Sequence, residues 1–578
     1  MRAQLSKINM SIGVRRLAKV TLFTLFFYLL VALTLYNCCL DRLVTAMYRG
    51  ESLPFFNHLI HNTDNTPLSY YIGHARLLSS YLIFLGAATH LFLAAVLAHD
   101  YTRRVVLDFF STPTSPRNLA IFRIVVFLGV VSQIHASETI WFGSVPHALQ
   151  MAPLGVGWLL PHLPVSHASM ISAVTFLYLV CATGLLGFFA RTSALLALIG
   201  SFYVLGVPEF YGTVEHYHHL LWFLAILAVS PCGDALSIDA LRNSAKRGTN
   251  APESPQAESA AYSLPLRFAC LLLGVIYFFP GFWKLRISGL DWAFTDNLRY
   301  TMYARWMDLD AFTPFFRLDL HPLLFRSIAL GTLFFELSFF VLVFFPRLRL
   351  PLALFGLGFH FGSGLFMRIP FFDLWICYVA LFDVSGALEH LRRGFSPAGN
   401  FDLPWFTGFA KTLQQGTGGN HPNVRAMLPR AGGRVPVVMV GIFLIAANSY
   451  WGALGIVRSW PFACYPRFAW NPGSQVESME ISALTPEGQV VFQGIPDFHR
   501  ILPYHAFGGQ LFSLLSMRTQ DPGEFVSRVK ALWALELQED PHLARASTVR
   551  CYRIVLNTIP EERYLNPVQR DLILDLKM

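Results

Sequence analysis

Charge is what this chain of 578 residues has least of: Asp, Glu, Lys and Arg make up 14% of it, against about 25% in a soluble domain. Lysine is scarcer still. Of 44 basic residues only Lys7, Lys19, Lys246, Lys284, Lys411, Lys530 and Lys577 are lysines; the rest are arginines. There is no Lys-rich tract, no zinc-finger spacing and no Gly-rich phosphate loop, so the net charge of +9 does not read as a nucleic-acid footprint. The eight cysteines form no C-x-x-C, and the H-E-x-x-H zinc motif is absent, so no metal is expected. What is present is apolar: 54% of the residues, with 52 Phe and a mean hydropathy of +0.46. That excludes a disordered chain or a disulfide miniprotein and argues against a soluble enzyme. The composition is that of a polytopic membrane protein.

A helix crossing about 30 Å of hydrocarbon needs about 20 apolar residues. Eleven runs qualify: 20–40, 77–98, 119–135, 171–190, 192–209, 217–231, 265–285, 327–346, 350–367, 370–388 and 435–456. Two of them, 119–135 and 217–231, are short. The first follows Arg15, Arg16 and Lys19 and lacks a small-residue cleavage site, so it reads as an uncleaved membrane helix. Lys and Arg alternate between loops. The N-terminal tail has five, loop 99–118 three, loop 232–264 three and loop 389–434 six, while loops 136–170 and 210–216 have none. Segment 286–326, with five Arg, breaks the pattern. The positive-inside rule then predicts a cytoplasmic N-terminus and, after eleven spans, an external C-terminal part.

The expected architecture is all-α and polytopic, with a small C-terminal α+β extracytoplasmic domain. Its parts are an N-terminal transmembrane hairpin and linker (1–114), a main transmembrane domain (115–388), a cytoplasmic linker (389–434), a last span (435–456) and a cap (457–578). In the cap, Ser478 to Leu484 alternates polar and apolar, Thr485-Pro-Glu-Gly488 is a turn, and Gln489 to Gln493 resumes, which is a hairpin pattern. Asp521 to Leu537 has helical spacing and Thr548 to Leu556 reads as a strand. Cys464 and Cys551 are the cap's two cysteines. An oxidising exterior would permit a disulfide between them; the alternative is two buried thiols. Cys181, Cys270 and Cys377 lie in apolar runs and read as packing residues.

Ionisable residues inside spans are costly and raise functional hypotheses by default. Here they are His90, Arg123, His218, His219, Lys284, Glu336, His360 and Asp373. The predicted topology puts His218, His219, Lys284 and His360 toward the external ends of three spans. A lysine between Phe282-Trp283 and Leu285 is poorly solvated, and desolvation favours the neutral amine, a competent general base. The alternative is a lysine snorkelling at a helix end, which would contribute little stability. Arg123 and Glu336 read as structural charges, either paired with each other or held separately.

Five stretches occur in order: Leu119-Ala-Ile-Phe-Arg-Ile; His218-His219-Leu-Leu; Tyr277-Phe-Phe-Pro-Gly-Phe-Trp-Lys-Leu285 with Trp292; Glu336-Leu-Ser; and Phe359-His360. The set resembles the vitamin K-dependent γ-carboxylase-like, or horizontally transferred transmembrane (HTTM), family over about residues 115–388. The resemblance implies Lys284 as the base toward vitamin K hydroquinone or another quinol, with His219 and His360 beside it as catalytic residues. It further implies His218, Trp283 and Trp292 as cofactor-binding residues, and Glu336 at a family acidic position. Membrane lipids, and a protein or peptide substrate at the external face, are the implied partners. In the carboxylases the deprotonated quinol reacts with oxygen to become a strong base that removes a γ-proton from a Glu side chain, the carbanion adds carbon dioxide, and the quinol leaves as the epoxide. This chain departs from that pattern in having Trp283-Lys284 for a lysine pair, His216-Tyr-His218 for asparagines before the histidine, and a smaller external region. A different quinone or lipid therefore stays open, as does a non-enzymatic scaffold, immunity or lipid-binding protein of the same fold.

Overall fold

The computed structural model describes residues 19–52, 67–212, 216–246, 258–309, 312–394, 434–463, 468–494, 514–515, 517–518, 521–562 and 567–578. It divides into two compact units, Met1–Thr112 and Pro113–Met578. The first contains α1 (Lys19–Tyr48) and α2 (Leu68–Ala98). Phe23, Phe26, Phe27 and Phe84 are exposed on them, as suits helices facing hydrocarbon. Tyr28 donates to the Leu82 carbonyl at 2.8 Å, and Arg76 meets Asp41 at 2.6 Å.

The second unit holds α3 (Pro116–Gln133), α4 (His167–Leu186), α5 (Ala190–Val204), α6 (His218–Val229), α7 (Ala260–Ser288), α8 (Pro322–Leu342), α9 (Pro346–Met367) and α10 (Val435–Leu454). Their ends carry the expected signals. Ser115 caps α3 ahead of Pro116, Ser166 and Ser169 close a capping box on α4, and Gly187 ends α4 with a left-handed φ of 65°.

Among the described residues nine helices are long and apolar enough to cross a membrane. Two of the eleven expected runs differ. Run 217–231 is α6, only 12 residues long, or about 18 Å at 1.5 Å per residue. It is buried almost all round, so it is a core helix of the bundle rather than a lipid-facing one. Run 370–388 breaks into Phe372–Trp375, a 3₁₀ turn Ile376–Leu381 and a new helix Val384–Gly394. Asp383 breaks the run: its carboxylate accepts from Gly386 N, Ser385 Oγ and Asn118 Nδ2, which caps the new helix.

The C-terminal region is a four-stranded antiparallel sheet, order β2-β1-β3-β4, with one long helix. The strands are β1 (Gln475–Leu484), β2 (Val490–Gly494), β3 (Thr548–Asn557) and β4 (Gln569–Lys577), and the helix is α11 (Pro522–Glu539). The hairpin, helix and third strand lie where the pattern puts them; β4 is additional. Ile481 pairs Cys551 and Ala483 pairs Val549, all buried. Alternate residues form a charged face, where Arg570 meets Glu480 at 2.6 Å and Arg550 meets Asp575 at 3.0 Å. That alternation is the period-2 division of a half-buried sheet. Cys551 is a buried free thiol with no disulfide, and burial pushes it up to about 12. Cys464, the other half of the expected bridge, lies outside the described residues, as do most of linker 389–434 and residues 247–257.

The segment after α10 ties this region to the bundle. Trp460 is buried; its backbone N–H donates to Leu154 O and its indole to Phe202 O, each at 3.0 Å. The Trp222 indole donates to Pro461 O at 3.0 Å, and Arg317 meets Glu561 at 2.9 Å. Three of the five arginines in the segment 286–326 have partners close to them in the chain. Arg299 meets Asp296 at 2.5 Å, Arg317 meets Asp319 at 2.7 Å, and Arg286 lies over the Trp283 ring.

Candidate functional site

Tyr277, Gly281 and Lys284 are spaced four and three apart on α7 and so share one face. That face meets α8. A Cβ on Gly281 would lie 2.8 Å from Glu336 Cβ, so the glycine is what lets the two helices approach this closely. Across the contact Lys284 Nζ donates to Glu336 Oε1 at 2.5 Å, and Nζ also lies 4.8 Å from the centre of the Trp292 ring. Each partner's side chain is 5% exposed. Lys284 is therefore not a snorkelling helix-end lysine. Glu336 is not Arg123's partner but the lysine's, and its second oxygen, Oε2, is buried without a hydrogen bond among the described residues.

Seven residues before Lys284, about 10 Å along the helix, the Tyr277 hydroxyl lies 2.7 Å from His360 Nε2 and 2.6 Å from the Tyr378 hydroxyl. A Cβ on Gly356 would come within 2.3 Å of the Tyr378 oxygen, so this glycine on α9 makes room for the phenol. His360 Nδ1 is buried without a partner among the described residues. Phe335, Phe339 and Phe359 surround the trio.

His219 Nε2 donates to the Asp373 carbonyl at 3.0 Å and lies 3.7 Å from its carboxylate. The expected catalytic residues thus have three different hydrogen-bond partners. Among the described residues Lys284 hydrogen-bonds Glu336 alone, His360 bonds Tyr277 and His219 bonds Asp373.

The residues expected to hold a cofactor direct their polar edges to backbone carbonyls. His218 Nε2 donates to Ser459 O at 3.1 Å, Trp283 Nε1 to Gly452 O at 2.8 Å, and Trp292 Nε1 to Phe468 O at 2.6 Å. His218 and Trp292 anchor the segment after α10, and Trp283 holds α10 itself. Arg123 is structural: its guanidinium donates to Cys232 O at 2.7 Å and Leu236 O at 2.6 Å, pinning the turn after α6. His90 also has a partner, the Gly86 carbonyl at 2.7 Å.

Tyr277 and Tyr378 had no assigned role in the sequence. The available signal was a phenol seven residues before Lys284 on the same helical face. A cleft of only about 10 Å³ between α6, α7 and α10 is lined by Trp222, Phe279, Asn448 and Gly452, and a groove of about 600 Å³ lies between α11 and β4. Neither is lined by Lys284, His219 or His360.

The family model of the HTTM domain matches residues 111–384, the stretch that contributes Lys284, Glu336, Tyr277 and all three histidines. Residues 111–384 are an HTTM domain. No curated protein and no solved structure matches the chain. The HTTM domain contains six of the nine long apolar helices and both short ones. With α1, α2 and α10 they make the chain an integral, multi-pass membrane protein.

Proposed function

We propose that the HTTM domain carries out quinol-dependent proton-transfer chemistry of the carboxylase type, with Lys284 and Glu336 acting as one acid–base couple. One observation carries this reading: a lysine and a glutamate, both buried in the bundle, share a hydrogen bond of 2.5 Å while Glu336 Oε2 has no partner among the described residues. A buried ion pair is weak evidence of stability, because desolvation offsets much of its attraction. A free carboxylate oxygen at such a pair is a proton acceptor already in place. Whether the couple's single proton sits on nitrogen or oxygen, a proton leaving a donor goes to the remaining basic atom. The base is then the pair rather than a lone neutral amine.

The donor set suits an aromatic diol. Glu336 Oε2 on α8 and His360 Nδ1 on α9 are buried polar atoms left over among the described residues, as is Ser338 Oγ on α8, and Phe335 and Phe359, the chain neighbours of Glu336 and His360, pack 5.6 Å apart. These residues would hold a quinol. When bound, it would supply the oxidisable ring that the carboxylases use. Lys284 lies at the end of α7 that meets the C-terminal segment, since Ser288 and Trp292 bond Ala469 and Phe468. This supports a site on the cap side, which the charge pattern makes external. Lipids, and a peptide or protein substrate presented at that face, are the corresponding partners. Reporters fused at residues 400 and 578 test the orientation: cytoplasmic signal is expected at the first and none at the second.

A second reading is a non-enzymatic membrane scaffold. It is favoured by His218, Trp283 and Trp292 anchoring α10 and the segment after it. Extraction in native lipid discs followed by mass spectrometry separates the two. Stoichiometric naphthoquinone or ubiquinone supports the enzyme, and phospholipid alone supports the scaffold. Glu336→Gln should abolish quinol-dependent turnover, because an amide has no carboxylate oxygen to take the proton. Full turnover in that variant would remove the base assignment.

A further inference from the structure

We infer that Tyr378 and Tyr277 lock His360 as the Nδ1–H tautomer, so that its buried ring presents a donor to a carbonyl or phenolate oxygen of a bound ligand. The argument is a count of hydrogens. Among the described residues the Tyr378 hydroxyl has one partner, the Tyr277 oxygen at 2.6 Å. Tyr277 has two, Tyr378 and His360 Nε2 at 2.7 Å. A hydroxyl donates one hydrogen. If Tyr378 donates to Tyr277, Tyr277 can donate to Nε2, and the imidazole hydrogen must then sit on Nδ1. Every group is satisfied except the Nδ1–H itself.

The reverse chain has Nε2–H donating to Tyr277 and Tyr277 to Tyr378. It leaves the Tyr378 hydrogen without an acceptor and Nδ1 without a donor, two unsatisfied buried atoms in place of one. A buried unsatisfied donor is costly, so the first arrangement prevails.

The other two histidines show the opposite state for the same reason. His218 and His219 each have Nε2 against a backbone carbonyl, which only accepts, so both are Nε2–H. His360 is thus the one of the three set up to carry its hydrogen on Nδ1. Its side chain is 2% exposed, and aromatic rings of Phe359, Phe371, Tyr277 and Tyr378 lie 5.1–6.1 Å away. A neutral imidazole N–H in such a site can stabilise charge developing on a ligand oxygen without giving up a proton. The oxygen of a hydroxyl can accept from it, and a carbonyl or phenolate oxygen, which only accepts, pairs with it in one sense alone. The ligand half of this inference rests on the quinol reading above; the tautomer half does not. Tyr277 and Tyr378 are positioning residues, acting through His360.

The test uses the full chain in lipid discs, labelled with ¹⁵N-histidine, with His360 assigned by the signals lost in His360→Gln. The expected wild-type spectrum has a pyrrole-type Nδ1 and a pyridine-type Nε2. In Tyr378→Phe the lock is released and both tautomers appear; in Tyr277→Phe the pure Nδ1–H state is lost. An Nε2–H wild type overturns the inference, and so does a pure Nδ1–H state in both variants. Menadione, whose carbonyl oxygens only accept, should then move the Nδ1–H resonance downfield. If menadione binds and that resonance stays put, with the hydrogen directed at an aromatic ring instead, the ligand half is overturned. If menadione binds nowhere, the quinol reading fails while the tautomer result stands.

Discussion

Lys284 and Glu336 offer the most direct measurement. Seen as a helix-end residue, Lys284 would tolerate Ala with little loss of stability. The structure gives a different figure. With both side chains 5% exposed and joined at 2.5 Å, removing either partner strands a charge in the bundle, which costs about 3–5 kcal/mol. Stability is typically about 5–15 kcal/mol in total, so Lys284→Ala and Glu336→Ala should each remove a large share of it. Replacing both at once, as Lys284→Met with Glu336→Leu, removes the stranded charge and the desolvation together. That double variant should recover to within about 1–2 kcal/mol of wild type or exceed it. Each mutation would be measured alone and together in detergent, by the loss of tryptophan fluorescence on titration with denaturing surfactant. The coupling energy from the cycle should be at least about 3 kcal/mol. It should also be insensitive to added salt, since buried pairs are screened little. Single variants losing under about 1 kcal/mol, or strictly additive losses, would refute the buried-pair argument and the couple built on it.

Three further outcomes follow from neighbouring geometry. Gly281→Ala puts a Cβ 2.8 Å from Glu336 Cβ; thermal unfolding should show a loss of about 1–3 kcal/mol and any turnover should fall with it, whereas a neutral result would mean that α7 and α8 can separate freely. Arg123→Met leaves the Cys232 and Leu236 carbonyls without their donor and should cost about 1–3 kcal/mol for each stranded group, read as a lower melting temperature with the lysine site otherwise unchanged. Glu138, in the short helix Ala136–Phe142 that follows α3, is half-buried and its carboxyl is raised by that burial from 4.5 to about 7. Its ionised form is the disfavoured one, so it contributes no penalty below pH 4.5 and a growing penalty as pH rises to about 7. Glu138→Gln should therefore raise the melting temperature at pH 8 and leave it unchanged at pH 4; the reverse pattern would show that burial is not the cause.

The membrane class, most of the span positions, the cap hairpin and the family motifs were all legible in the chain itself. They are properties of local composition and period: twenty apolar residues in a row, alternation over seven, a Thr-Pro-Glu-Gly turn. What was not legible was partner choice. Glu336 could be assigned to Arg123 or to neither, and only packing reveals that Gly281 brings α8 against the Lys284 face. His218, Trp283 and Trp292 looked like ligand contacts because polar edges on apolar helices look alike whether a cofactor or a backbone carbonyl receives them. Their acceptors at Ser459, Gly452 and Phe468 are 241, 169 and 176 residues away in the chain. The phenols of Tyr277 and Tyr378 stand 101 residues apart, and the run containing Tyr378 reads as an unbroken span until Asp383 is seen capping the helix that follows it. Sequence periodicity sets which face of an element is apolar. Which buried donor meets which acceptor depends on how the helices pack, and no local pattern in the chain encodes it.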